Sequence, residues 1–194
     1  KLSAHSQGYM TKLQESSREV DYSVVLDFAA GREDDREVLM DLQDTLIETA
    51  LSLLDEIAKH HTNYTLLYCD RHRNVRRIRP RGREDDLDLI KDFSVITPEP
   101  DAAFPDACRI LLEEGSVASR STNVIVVTAR VTDELLQELM RIRRQRRVPE
   151  LYYVIPAGLN SREVETLRAK LSQLDEAGVR HYFVYTTDAG GEAA

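Results

Sequence analysis

Tryptophan is absent from this 194-residue chain, which has only two cysteines, eight glycines and six prolines. Each shortage removes a class of protein. Cys69 and Cys108 stand far apart without CxxC spacing, so neither a disulfide scaffold nor a zinc finger is indicated. So little glycine and proline excludes a collagen-like chain or a flexible linker. No GxxxxGK[ST] or GxGxxG occurs, and Gly31 stands alone after the first apolar segment, which removes the phosphate loops of nucleotide-binding folds. GxSxG and HExxH are missing too, so no hydrolase elbow or zinc-protease helix is present. No apolar run approaches the roughly 20 residues of a membrane span, and no signal-peptide pattern appears. A formal net charge of −8 argues against a general nucleic-acid binder.

What is present points to a packed α/β chain. Hydrophobic residues make up 42% of the sequence and charged ones 31%, enough for a buried core and too apolar for disorder. Short runs rich in β-branched and aromatic residues predict strands at Tyr22–Phe28, Asn63–Cys69, Asn123–Thr128, Leu151–Ile155 and Arg180–Thr186. Several are nearly continuous, as in strands covered on both faces. Val75–Arg79 sets Val75 and Ile78 among arginines and reads as an exposed edge strand, joined to the preceding strand by the turn Asp70–Asn74.

Helical patterns lie between the strands. Leu39, Leu42, Leu46, Ala50, Leu53, Leu54 and Ile57 form a stripe opposite Asp41, Asp44, Glu48 and Asp55, which predicts one helix from about Glu33 to His60. A second helix is expected from near Pro105 to Gly115. A third follows a Thr132 cap, with Asp133 and Glu134 in its first turn. A fourth opens on the capping-box pair Asn160 and Glu163 and ends at Gly178, and a weaker one covers Asp85–Phe93. The order predicts a single doubly wound, mostly parallel sheet of about six strands, with helices on both faces and one antiparallel edge hairpin. Residues 22–187 form that domain, with an amino-terminal extension at 1–21 and a flexible tail at 188–194.

In an open α/β sheet the ligand crevice lies beyond the carboxyl ends of the strands, where the winding reverses. With the first strand central, its walls are the loops Asp27–Gly31 and Thr128–Arg130, with the stretch from Thr97 to Asp106 closing a third side. An apolar strand ending in Asp27, a long amphipathic helix, a hairpin and a strand ending in Thr128 resemble the von Willebrand factor type A domain. The resemblance implies a metal-ion-dependent adhesion site, where Asp-x-Ser-x-Ser with a later Thr and Asp offers magnesium hard oxygens and leaves a position for a partner's carboxylate. Here Ala29 and Gly31 stand where the serines belong, Ala129 follows Thr128 in place of Asp, and Ala102 and Ala103 supply no hydroxyl. Asp27, alone or with Asp106, makes a poor magnesium site, so a degenerate site without metal or other cofactor is expected, its remnant marked by Asp27, Ala29, Gly31, Thr128 and Ala129; the opposing reading is a cation held by Asp27 with Asp101 or Asp106.

The amino end adds a closer resemblance. Lys1-Leu2-Ser3-Ala4-His5-Ser6, then Tyr9-Met10-Thr11-Lys12-Leu13, a polar stretch and Tyr22–Asp27 resemble the bacterial domain of unknown function 58 family, in which a short motif precedes a von Willebrand-type strand. The resemblance implies a larger parent, anchored by two membrane helices upstream, with this module on the cytoplasmic side of the bacterial membrane. It also implies a MoxR-type AAA+ ATPase as partner and a role in protein assembly or maturation; no enzymatic activity is established for the family, and none is expected here.

Arginine is concentrated in two places: Arg71, Arg73, Arg76, Arg77, Arg79, Arg81 and Arg83 along the hairpin, and Arg141, Arg143, Arg144, Arg146 and Arg147 at the end of the third helix. The guanidinium fork suits phosphate and carboxylate, which makes the hairpin at 71–83 an alternative anion or nucleic-acid surface, with Arg76, Arg77 and Arg79 its best contact residues. The bland reading is an edge strand guarded by charge and a helix end matched to its dipole. Opposed acidic and basic surfaces also offer a salt-sensitive route to self-association. Cys69 beside His72 has the spacing of a nucleophile and base, but an apolar strand end favours a buried structural thiol, and Cys108 reads the same way. His60 and His61 lack metal-ligand spacing. No catalytic residue is assigned.

Overall fold

The computed structural model describes residues 21–29, 35–60, 62–70, 72–79, 89–91, 93–95, 106–113, 123–156 and 161–186. The expected extension (apart from Asp21), the tail, Gly31, Pro105 and Asn160 lie outside them. Six strands form one sheet: β1 Tyr22–Leu26, β2 Tyr64–Cys69, β3 Val75–Ile78, β4 Asn123–Thr128, β5 Val148–Ile155 and β6 Arg180–Tyr185. Their order is β3-β2-β1-β4-β5-β6, all neighbours parallel except the β2–β3 hairpin at one edge. That is the architecture expected from the alternation of elements. β1 is central, and the winding reverses between it and β4.

Among the described residues the longer helices are α1 Arg36–Lys59, α2 Ala107–Glu113, α3 Asp133–Arg144 and α4 Ser161–Glu176, and residues 89–91 and 93–94 are helical too, within the span of the expected weaker helix. On one face α1 lays Leu39, Leu42, Leu46, Ala50, Leu54 and Ile57 against Val24, Leu26, Leu66, Tyr68, Ile125 and Val127. Leu89 and Phe93 extend that layer, with the Phe93 ring edge-on to Tyr68 at 5.1 Å. The other face packs Val25, Leu67, Val124, Val126 and Leu151 under α2, α3 and α4. Alternation along each strand sends successive side chains to opposite layers, which is why the central strands read as continuous apolar runs.

Caps set the helix ends. Asp35 accepts the Glu37 N–H at 2.9 Å, so α1 starts three residues later than its stripe predicts. Thr132 accepts the Leu135 N–H as expected. Asp106 accepts from Arg109 N–H and opens α2, one residue beyond Pro105. Gly178 closes α4 with φ +69°, and Val179 N–H returns to the Leu174 carbonyl at 2.8 Å, a hydrogen-bonded ending that favours glycine.

Two expectations change. β5 begins at Val148 rather than Leu151; β6 pairing starts only at Glu150, so at Pro149 the strand is paired on one side and a missing N–H is tolerated. β6 is not covered on both faces: it is the outer strand, with Tyr182, Phe183 and Tyr185 exposed. No described helix is long and apolar enough to cross a membrane.

Candidate functional site

At the point where the winding reverses, β1 and β4 end side by side. The Asp27 N–H donates to the Val127 carbonyl at 2.9 Å, which brings Asp27 and Thr128 together beyond the two strand ends. Asp27 Oδ1 accepts the Ala29 N–H at 3.0 Å, and the carboxylate also takes the Ala107 N–H at the start of α2. The Thr128 hydroxyl lies 2.8 Å from Asp27 Oδ2 and 3.0 Å from the Arg130 carbonyl, and accepts the Arg130 N–H at 3.0 Å. Its single proton serves one of the two acceptors at a time. Arg130 Nη2 reaches Asp106 Oδ2 at 3.7 Å. The ends of β1 and β4 and the start of α2 are thus tied through one carboxylate.

Burial dominates the electrostatics. Asp27 is fully enclosed, and loss of water pushes its carboxyl up to about 6. The Ala29 N–H, the Thr128 hydroxyl, the Arg130 charge and the Ala107 N–H oppose that rise without cancelling it. A cation already stands in the cluster as the guanidinium of Arg130, whose side chain is 19% exposed.

The sequence-derived site residues fall into two groups. Asp27, Ala29, Thr128 and Ala129 stand at the adjoining ends of β1 and β4, and all four are buried. They root the crevice loops and present no side chain to a partner. Arg130 and Asp106 belong to the stretches assigned to the crevice walls, but neither is in the remnant set, and their approach to each other is not legible in the sequence. Among the described residues, no three His, Cys, Asp or Glu side chains converge as metal ligands.

Among the described residues, the hairpin arginines do not share one face; Arg71, Arg81 and Arg83 lie outside them. Arg76 pairs with Tyr68 in register and so shares the α1 face with Ile78, whereas Arg77 pairs with Leu67 and lies on the opposite face. Arg79 continues that second face, its Nε donating to Thr65 Oγ1 at 3.2 Å. Arg76 Nε is 3.9 Å from Asp70 Oδ2. The second cluster is partly structural: Arg141 holds Glu138 by two bonds of 2.6 and 2.7 Å, Arg147 is buried, and Arg146 takes a left-handed φ of +62° past the helix end. Arg141 and Arg144 also line an open groove between α2 and α3 with Cys108, Leu112 and Met140.

Both thiols are buried. Burial, aided by Asp70 and Asp27, pushes Cys69 up to about 12, and burial with Asp106 raises Cys108 to about 11. Neither is a thiolate at neutral pH, so Cys69 and His72 do not make an activated pair. No family model matches the chain, and no curated protein matches it.

Proposed function

We propose that this chain is a non-enzymatic protein-interaction module that works through a metal-free remnant of an adhesion site. One observation carries the reading: the Asp27 carboxylate is already filled, by two main-chain N–H groups and the Thr128 hydroxyl, with Arg130 beside it. In a functioning adhesion site that carboxylate would help hold a cation bridging to a partner's acid. Here the same buried charge organises the loops, and recognition falls to loop shape, hydrogen bonds and the Arg130–Asp106 rim.

The resemblance to the domain of unknown function 58 family supplies the setting. The module then belongs to a membrane-anchored bacterial protein, faces the cytoplasm, and works with a MoxR-type AAA+ ATPase in protein assembly or maturation. A pull-down with a MoxR-type ATPase from the same genome tests this. Retention by the wild-type chain, weakened by Arg130→Glu while the fold is kept, is the expected result. Failure of both this chain and its full-length parent to bind would contradict it.

A second reading rests on Arg77 and Arg79, exposed on one face of the edge hairpin, where their charge suits a phosphate-rich ligand. The partner reading is preferred because a net charge of −8 disfavours a polyanion for the chain as a whole.

A further inference from the structure

The two edges of the sheet are built differently. β3 is four residues long and carries Arg76 and Arg77, the short, charged form that blocks edge-to-edge pairing. β6 runs six residues, RHYFVY, with Arg180 its one full charge and that at the first position. Among the described residues, nothing pairs with its outer side. Its aromatics are exposed on both faces: Tyr182 stacks on Tyr152 at 4.7 Å on the α1 side, while Phe183 lies edge-on to Tyr153 on the other. Tyr182 is 38% exposed, Phe183 37% and Tyr185 59%.

We infer that β6 is a self-association edge, pairing antiparallel with β6 of a second copy to make one continuous twelve-stranded sheet. An open strand edge offers a row of main-chain donors and acceptors, so its natural occupant is another extended strand. The choice of a second copy follows from self-complementarity. With Phe183 on the two-fold axis the overlap of residues 180–186 is greatest, and Phe183 faces Phe183 of the other copy. Tyr182 then meets Val184, His181 meets Tyr185, and Arg180 lies against Thr186. The two Arg180 charges sit at opposite ends of the junction, so no like charges oppose each other. Every pair has the same parity, which keeps both α1 layers on one side and buries aromatic against apolar on each face. An antiparallel pair closes as a dimer, whereas β6 against the arginine-bearing β3 would run on as an open fibre.

The test is sedimentation of the wild-type chain over a concentration series at low and high salt, with Phe183→Lys alongside. A dimer that persists in high salt, and that Phe183→Lys weakens at least about tenfold by placing two charges face to face, is the expected result. Cysteine trapping tests the register independently. Oxidised Phe183→Cys should cross-link as a homodimer, since partners on the axis lie within disulfide reach, while Tyr185→Cys should not because the two copies are four residues out of step. A monomer at every concentration overturns the inference. So does a dimer that dissolves in salt, or one in which Phe183→Cys fails to cross-link; the edge would then be capped by another segment or partner, and association would use the charged surfaces.

Discussion

The hydroxyl of Thr128 donates to Asp27 Oδ2 across 2.8 Å and joins the ends of two strands 101 residues apart in sequence. The bond is wholly buried. It fastens the crevice at the point where the sheet changes winding direction, and it uses a carboxylate that burial makes costly to ionise. Much of the behaviour expected of this protein follows from that pair.

The contribution of Asp27 to stability should fall as pH rises from about 4 to about 6. The Asp27 carboxyl titrates near 6 in the folded chain against 3.8 in the unfolded one, so between those values the folded state holds a proton that the unfolded state has lost. Below 3.8 the group is protonated in both states; above about 6 the cost is fully present, of order 3 kcal/mol. Asp27→Asn keeps an acceptor for the Ala29 N–H and removes the charge. Chemical denaturation across this range should show the Asn variant more stable at pH 7.5 and the slope between pH 4 and 6 reduced.

Thr128→Val takes the hydroxyl from a buried carboxylate and should cost about 2–3 kcal/mol at pH 7. Thr128→Ser should restore most of it. The Val variant should lose less at pH 5, where Asp27 is mostly protonated and needs its donor less. Equal losses at both pH values would separate the stability of this pair from its charge.

Left-handed backbone gives a matched pair of expectations. Gly178 has φ +69°, so Gly178→Ala should destabilise by about 1 kcal/mol through conformation, since a Cβ there meets only Arg143 at 3.6 Å. Arg146 holds φ +62° without being glycine, so Arg146→Gly should be neutral or stabilising by up to about 1 kcal/mol. Thermal melts should show Gly178→Ala lowered and Arg146→Gly unchanged or raised.

Neither cysteine should react in the folded chain. Thiols raised to about 11 and 12 and shielded from solvent leave almost no thiolate at pH 8. Alkylation should modify neither Cys69 nor Cys108 under native conditions and both in denaturant. Fast labelling of native Cys69 would revive the pairing with His72.

Much of the fold is legible in the sequence because the strands and helices obey their periods. The stripe from Leu39 to Ile57, the Thr132 cap and the Gly178 stop each find their structural counterpart. The arginines of Val75–Arg79 mark that strand as an edge, and it is one. Composition fails at β6, because RHYFVY has the aromatic content of a core strand and its exposure depends on where the sheet ends. The crevice was only half readable. Asp27 and Thr128 are found from strand ends, whereas burial of Ala29 and Ala129 and the approach of Arg130 to Asp106 depend on loop packing that no local pattern encodes. The hairpin arginines show the same limit: alternation puts Arg76 on one face and Arg77 on the other, and their significance comes only with the register.

Calorimetry bears straight on the proposal that the crevice recognises a partner without a metal. Magnesium and manganese titrated into the wild-type chain should give no binding tighter than millimolar, and titration of the MoxR-type ATPase should give the same affinity in chelator as in magnesium. Cation binding tighter than millimolar that Asp27→Asn abolishes, or partner binding that appears only with magnesium, would contradict it.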